Sequence, residues 1–222
     1  MPAVTEIAAL HLKPGTDWTI ATEKVTTRIL PKAGCLRVRY SQKIEDPEQV
    51  VFFIDWEDVS AHQAVMKSEA YGPFLEEMMQ LVRADPVVYH VPFEPFPATV
   101  LNNEDGKGKT PIAEVLHAYF PADISMVQQQ EALIKVQQFI DESKPVAQGF
   151  SGETAHGFVL EEVDFKDERC RALVVVLGWE SLEAHKAYRE TEDFNRTIPL
   201  LRGMEGLKGM QVFHVSNHVV TR

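Results

Sequence analysis

Two histidines could do chemistry here. His62 and His185 stand in near-copies of one phrase, WEDVSAHQAVMKSEAY over residues 56–71 and WESLEAHKAYRETEDF over 179–194. Val59, His62, Val65 and Met66 fall at i, i+3, i+6 and i+7, as do Leu182, His185, Tyr188 and Arg189. Each imidazole therefore shares one edge of a helix's apolar stripe and faces inward. A ring with an unperturbed pKa of about 6.5 can take a proton from a phenol or an activated carbon. The structural alternative is a ring that bonds a backbone carbonyl and recurs because the fold recurs.

Glu6 and Glu114 lie on apolar opening segments. Turned inward, a carboxylate must be paired and its pKa rises, which suits acid–base work; turned outward, it is merely solvated, and the irregular alternation of residues 4–12 leaves both open. Trp56 and Trp179 end apolar runs and either stack on an aromatic ligand or fill the corner between strand and helix. Tyr71, His117 and Tyr188 complete the candidate substrate lining. His117 stands opposite Ala9 rather than His11, so two pockets would differ. His90 and His214 match each other within VVYHV and QVFHV and read as interface or edge residues.

Other chemistries have less support. No His-Glu-x-x-His occurs, and no expected helix pairs a histidine with a nearby carboxylate as a ligand triad, so no metal is expected. There is no Gly-x-Gly-x-x-Gly after a strand, no Walker loop and no Gly-x-Ser-x-Gly elbow. Gly106-Lys107-Gly108-Lys109-Thr110 lacks the preceding strand and glycine spacing of a phosphate cradle. Cys35 and Cys170 are the only cysteines, too few for a disulfide framework, and neither lies beside a base in sequence.

These side chains need elements to hold them. Aligning Trp56 with Trp179 pairs Glu57 with Glu180, Ala61 with Ala184 and Glu69 with Glu192. The flanks repeat as well. VVFFIDW (50–56) and ALVVVLGW (172–179) read as buried strands, 87–91 and 211–215 as closing strands, and 4–12 and 111–120 as opening strands. Thr16 or Asp17 can cap a helix reaching about Leu30, and Gly72-Pro73 should interrupt the quoted helix before it resumes towards Arg83. From Gly34 to Trp56 is 22 positions and from Gly149 to Trp179 is 30, so eight extra residues lengthen the second middle hairpin.

Each half thus reads β-α-β-β-α-β, a four-stranded antiparallel sheet with both helices on one face. Strands that are apolar on both sides need their other face covered too. The expected architecture is α+β: two tandem ferredoxin-like (βαββαβ) halves packing sheet to sheet as an intramolecular dimeric α/β barrel. The halves span 1–95 and 111–222. Residues 96–110 form a linker inside a stretch, 92–111, whose prolines and polar end suit the surface.

The net charge of −11 is spread over both halves and excludes a basic nucleic-acid surface. No apolar run approaches the ~20 residues that span a bilayer, and the N-terminal residues do not read as a signal peptide. A cytoplasmic protein is expected, with no nucleic-acid or membrane partner. The duplication makes a pseudo-dimer within one chain and leaves room for a homodimer.

With Trp56-Glu57, Ala61-His62, Ser68-Glu69 and Tyr71 repeated as Trp179-Glu180, Ala184-His185, Thr191-Glu192 and Phe194, the sequence resembles the dimeric α/β-barrel superfamily, most closely tandem antibiotic biosynthesis monooxygenase-like domains. The resemblance implies cofactor-free chemistry on a small hydrophobic aromatic or polyketide-like metabolite, first as monooxygenation of a phenol or anthrone with His62 or His185 as base. It also admits a non-oxidative cyclase, isomerase, dehydratase or decarboxylase, or a non-catalytic small-molecule-binding or stress-associated barrel. Haem-degrading relatives place a tryptophan and a ligating histidine where this chain has Val65 and Leu75, then Tyr188 and Ile198, and an asparagine near Ala8, so haem turnover is not implied.

Overall fold

The computed structural model describes residues 2–104 and 110–222. The first half runs β1 (Val4–His11), α1 (Trp18–Arg28), β2 (Cys35–Gln42), β3 (Gln49–Trp56), α2 (Val59–Met66), α3 (Tyr71–Met79) and β4 (Val87–Val91). The second runs β5 (Ile112–Pro121), α4 (Met126–Ser143), β6 (Phe150–Phe158), β7 (Val163–Phe165), β8 (Glu168–Trp179), α5 (Leu182–Arg189), α6 (Glu192–Arg202), β9 (Gly209–Val215) and β10 (His218–Thr221). The caps follow local chemistry. Asp17 accepts from the Thr19 amide at α1, and Ser125 makes a capping box with Gln128 at α4.

Two five-stranded antiparallel sheets result, ordered β10-β2-β3-β1-β4 and β6-β8-β5-β9 with β7 paired to β8. The expected ferredoxin-like order is present in both. Side-chain parity divides each strand between two layers. On β1, Val4, Glu6, Ala8 and Leu10 face the helices while Ile7 and Ala9 face the other sheet; on β5, Glu114, Leu116 and Phe120 face the helices while Ala113, Val115, His117 and Tyr119 face the other sheet. One apolar core therefore lies between the sheets and one more lies under the helices of each half.

Three expectations need correction. Residues 92–103 are not a surface linker: Phe93 and Asn103 are buried, and Ala98, Val100 and Leu101 are wholly so, wedged with a 3₁₀ turn (Thr99–Leu101) into the inter-sheet core. Four buried apolar side chains outweigh the prolines between them. The backbone is tied in by Asn217, whose amide N–H donates to Asn103 Oδ1 at 3.0 Å and whose side chain donates to the Leu101 carbonyl at 3.0 Å. Gly106–Lys109 lie outside the described residues.

Second, the quoted helix breaks at residues 67–70, and Gly72-Pro73 sit in the first turn of α3, where a missing N–H costs nothing. Third, the chain does not end in its own half: β10 crosses over to pair with β2, His218 against Tyr40 and Thr221 against Arg37. Of the eight extra residues, β7 takes three into a hairpin on β8. No described helix is long and apolar enough to cross a membrane.

Candidate functional site

Pairing register brings the chemistry together. Glu6 on β1 lies opposite Ile54 of β3 and His90 of β4, and Glu114 on β5 lies opposite Leu177 of β8 and His214 of β9. All four polar residues face the helices, so α2 and α5 close over them and bring in His62 and His185. The repeated phrase explains how each helix comes so close. Gly34 and Gly149, both at φ +79°, turn the chain so tightly that a Cβ there would lie 2.4 Å from Ala61 Cβ and 2.6 Å from Ala184 Cβ. Their carbonyls accept from the Glu57 and Glu180 amides at 2.8 Å each. The alanine before each histidine thus seats the helix on a glycine.

The result is a buried polar corner, made twice. In the first half, Trp56 Nε1 donates to Glu6 Oε2 at 2.8 Å, His62 stacks on the indole with centroids 5.0 Å apart, and His62 Nδ1 lies 3.4 Å from Glu6 Oε2. His62 Nδ1 shares a hydrogen bond with His90 Nε2 at 2.9 Å. In the second half, Trp179 Nε1 donates to Glu114 Oε2 at 2.9 Å, His185 Nε2 lies 3.3 Å from that oxygen, and His185 Nδ1 meets His214 Nε2 at 2.7 Å. Behind each second histidine stands a carboxylate from the opposite half: Glu161 on the His90 ring at 2.6 Å, and Glu45 on the His214 ring.

Burial sets the electrostatics. Desolvation pushes both Glu6 and Glu114 up to about 7, partly opposed by the tryptophan hydrogen bonds. It pulls His62 down to about 4 and His185 to about 3, helped by the neighbouring histidine. At neutral pH each site histidine is uncharged, and each glutamate is poised between acid and carboxylate.

Each corner opens into a separate cavity between sheet and helices. The first, about 190 Å³, is lined by Glu6, His62, Tyr71, Phe74, Leu75 and Met78, with Phe52 and Ile54 on the sheet side. The second, about 250 Å³, is lined by Glu114, His185, Trp179 and Tyr188, and adds Arg189 and Arg202. One polar wall and one apolar wall suit a small molecule with an aromatic body and an ionisable oxygen. The arginines make the second cavity better suited to a substrate carrying negative charge.

Of the residues singled out from sequence, Glu6, His62 and Tyr71 meet at the first cavity, and Glu114, His185, Trp179 and Tyr188 at the second. Trp56 does not line its cavity; it is wholly buried and spends its N–H on Glu6. His117 lines neither, because its position on β5 has the opposite parity to Glu114. It faces a third cavity of about 800 Å³ between the sheets, where its Nε2 meets Tyr89 Oη at 2.5 Å. His90 and His214 are not bare edge residues: both are buried and bonded to the site histidines. Glu45 and Glu161 carried no local signal at all.

The expectation of no metal rested on spacing within single helices, and the fold assembles what spacing could not. Glu6, His62 and His90, and likewise Glu114, His185 and His214, bring donor atoms within 4.8 Å of one another. Two histidines and a carboxylate could hold a divalent ion. The histidine nitrogens at 2.7–2.9 Å already satisfy each other by a direct hydrogen bond, which accounts for the geometry without an ion.

Residues 4–77 match the sequence profile of the antibiotic biosynthesis monooxygenase family. No curated protein matches the sequence significantly. Among solved structures, a candidate monooxygenase from Lactobacillus acidophilus NCFM aligns over 100% of this chain and 97% of its own, at 12% identity and a TM-score of 0.55. A candidate monooxygenase from Fusobacterium nucleatum aligns over 100% and 95%, at 10% identity and 0.61. An anthrone oxidase-like protein aligns over 100% and 94%, at 14% identity and 0.66. At these identities the likeness is one of fold, and it extends over both halves.

Proposed function

We propose that the protein, whose residues 4–77 match the antibiotic biosynthesis monooxygenase family and whose second half repeats the fold, oxygenates small aromatic substrates without a cofactor, at the two helix-side cavities. The observation that carries the reading is the neutral imidazole beside a carboxyl group of pKa about 7, buried together on the wall of an apolar cavity, in duplicate.

The chemistry follows from those two groups. A hydroquinone or anthrone becomes a strong enough reductant for oxygen once it is deprotonated. His62, uncharged at neutral pH, accepts that proton. Its lowered basicity demands a substrate that is itself acidic, a phenol or the activated methylene of an anthrone rather than an ordinary C–H bond. Glu6 in its protonated form donates to the oxyanion, and the apolar wall of Phe52, Phe74 and Met78 keeps water from competing. For an anthrone, one oxygen atom enters the methylene carbon as a carbonyl and the other leaves as water with its two hydrogens. His185 and Glu114 take the same roles in the second cavity. Cavities near 200 Å³ favour substrates of one or two rings in the enclosed part, any third ring extending towards the mouth.

The same pair can return a proton to a neighbouring position, which also suits a cyclase or isomerase; dependence on oxygen separates the two. The test is oxygen consumption by the metal-stripped protein with hydroquinones and anthrones, beside the double variant His62→Ala/His185→Ala. Uptake lost in the variant supports the proposal. Substrate turnover that proceeds equally under argon replaces oxygenation with acid–base isomerisation, and uptake that survives in the variant removes both histidines from the mechanism.

A further inference from the structure

Each half ends its polar corner on a carboxylate it does not own. Glu161, in the hairpin after β6, reaches across to β4: its Oε2 accepts from the His90 amide at 2.8 Å and its Oε1 meets His90 Nδ1 at 2.6 Å. Glu45, in the turn after β2, does the same to β9, accepting from the His214 amide at 3.0 Å and meeting the His214 ring. The preceding residues lock both approaches, Leu160 N donating to the His90 carbonyl at 2.9 Å and Ile44 N to the His214 carbonyl at 3.0 Å. The same three hydrogen bonds thus recur on two hairpins of different length.

We infer that Glu161 and Glu45 are positioning residues that set, from the opposite half, which nitrogen of His62 and His185 carries the proton. The inference rests on the proposal that those two histidines work in the cavities, and it adds the residues that decide their working form.

The proton count is the argument. An ionised carboxylate only accepts hydrogen bonds, so His90 Nδ1 must carry a hydrogen to meet Glu161. In the neutral ring, His90 Nε2 is then an acceptor, and the hydrogen it shares with His62 at 2.9 Å belongs to His62 Nδ1. That leaves His62 Nε2 with a free lone pair. The second chain runs the same way from Glu45 through His214 to His185, so His185 Nε2 also keeps its lone pair; that nitrogen lies 3.3 Å from Glu114 Oε2, whereas in the first half it is His62 Nδ1 that lies 3.4 Å from Glu6 Oε2. Both outer carboxyls are in the form this needs. Partial burial disfavours their charge, but the hydrogen bonds from the amide and ring of the histidine outweigh it and hold both below the usual carboxylate range.

Replacing Glu161 by Gln keeps the shape and offers an N–H where the carboxylate offered a lone pair. His90 Nδ1 then becomes the acceptor, Nε2 takes the hydrogen, and His62 is left presenting an N–H instead of a base. A carboxylate that merely clamps the hairpin to β4 would produce no such reversal.

The experiment is nitrogen NMR of ¹⁵N-histidine-labelled protein without substrate, on the parent, Glu161→Gln, Glu45→Gln and Glu161→Asp. Glu161→Gln should convert His62 Nε2 from an unprotonated to a protonated nitrogen and leave His185 unchanged; Glu45→Gln should do the reverse. Glu161→Asp, which keeps the charge, should retain the parent pattern, and thermal melts establish that each variant is folded. Folded Gln variants with unaltered His62 and His185 nitrogens would overturn the inference, as would a single change that shifts both sites. This readout needs no turnover, so a protein that oxygenates nothing would end the functional proposal and leave this one standing. Where turnover is present, Glu161→Gln on a His185→Ala background should lower kcat by about 10²–10⁴-fold, the contribution of a working general base, with KM little changed. On a His62→Ala background it should have no further effect.

Discussion

Replacing Glu6 by Gln should stabilise the protein at alkaline pH and do little in acid. The carboxyl has an ordinary pKa of 4.5 when unfolded and about 7 in the folded corner, a difference of 2.5 units. Between these values the folded state holds a proton that the unfolded chain has released. Stability therefore falls as pH rises through the window from about 4.5 to 7, and at about 1.36 kcal/mol per unit the full loss is about 3 kcal/mol. Gln has no charge to bury, and its carbonyl can still accept from Trp56 Nε1. The stability of the variant relative to the parent should grow by about 2.5 kcal/mol between pH 5 and pH 8, the rest of the loss having occurred below pH 5. His62 does not confuse the comparison, because it titrates near 4 in the fold and its unfolded titration is common to both proteins. Urea unfolding at half-unit steps across that range measures the difference directly. A difference that stays flat with pH, or grows in favour of the parent, would refute the claim that Glu6 is held near neutrality by burial. Glu114→Gln should reproduce the behaviour in the second half.

Gly34→Ala combines a left-handed backbone with a 2.4 Å clash against Ala61, so it should cost about 2–5 kcal/mol and displace the helix carrying His62, readable as a lowered melting temperature with loss of any first-site ligand binding. Asp55→Ala leaves the wholly buried Arg39 without its 2.9 Å partner and strips Thr5 of its acceptor; a loss of about 3–5 kcal/mol is expected in urea unfolding. Prolonged chelation should leave the melting temperature and any oxygen uptake unchanged. A fall in either that one divalent cation restores would make Glu6, His62 and His90 a metal centre.

What could be read beforehand were the features written in local pattern. The doubled phrase, the apolar strands and the inward face of His62 and His185 all follow from periods of two and 3.6 residues. The orientation of Glu6 was ambiguous because most of β1 is buried, between helices on one side and a second sheet on the other, so hydrophobicity could not mark the inner face. Register decides it, and register is a property of strand pairs. His90 and His214 repeat as plainly as His62 does, but nothing in the sequence shows that their strands lie beside β1 and β5. Glu45 and Glu161 were out of reach for a deeper reason: each acts on the other half, 169 and 71 residues away. The connector misled because its prolines and its polar end stand out, while Phe93, Val100 and Leu101 are scattered between them.

The exchange of β10 has a consequence for how the chain is made. During synthesis the first half emerges first, with β1 to β4 and their helices complete. Yet β2 has no neighbour on its outer side until residues 218–221 arrive, and the inter-sheet face of β1 and β3 has no cover until β5 and β8 are threaded against it. The half that leaves the ribosome earliest is therefore among the last to be finished. In the interval it presents an unpaired strand and an apolar sheet face, the surfaces by which nascent chains meet chaperones or one another.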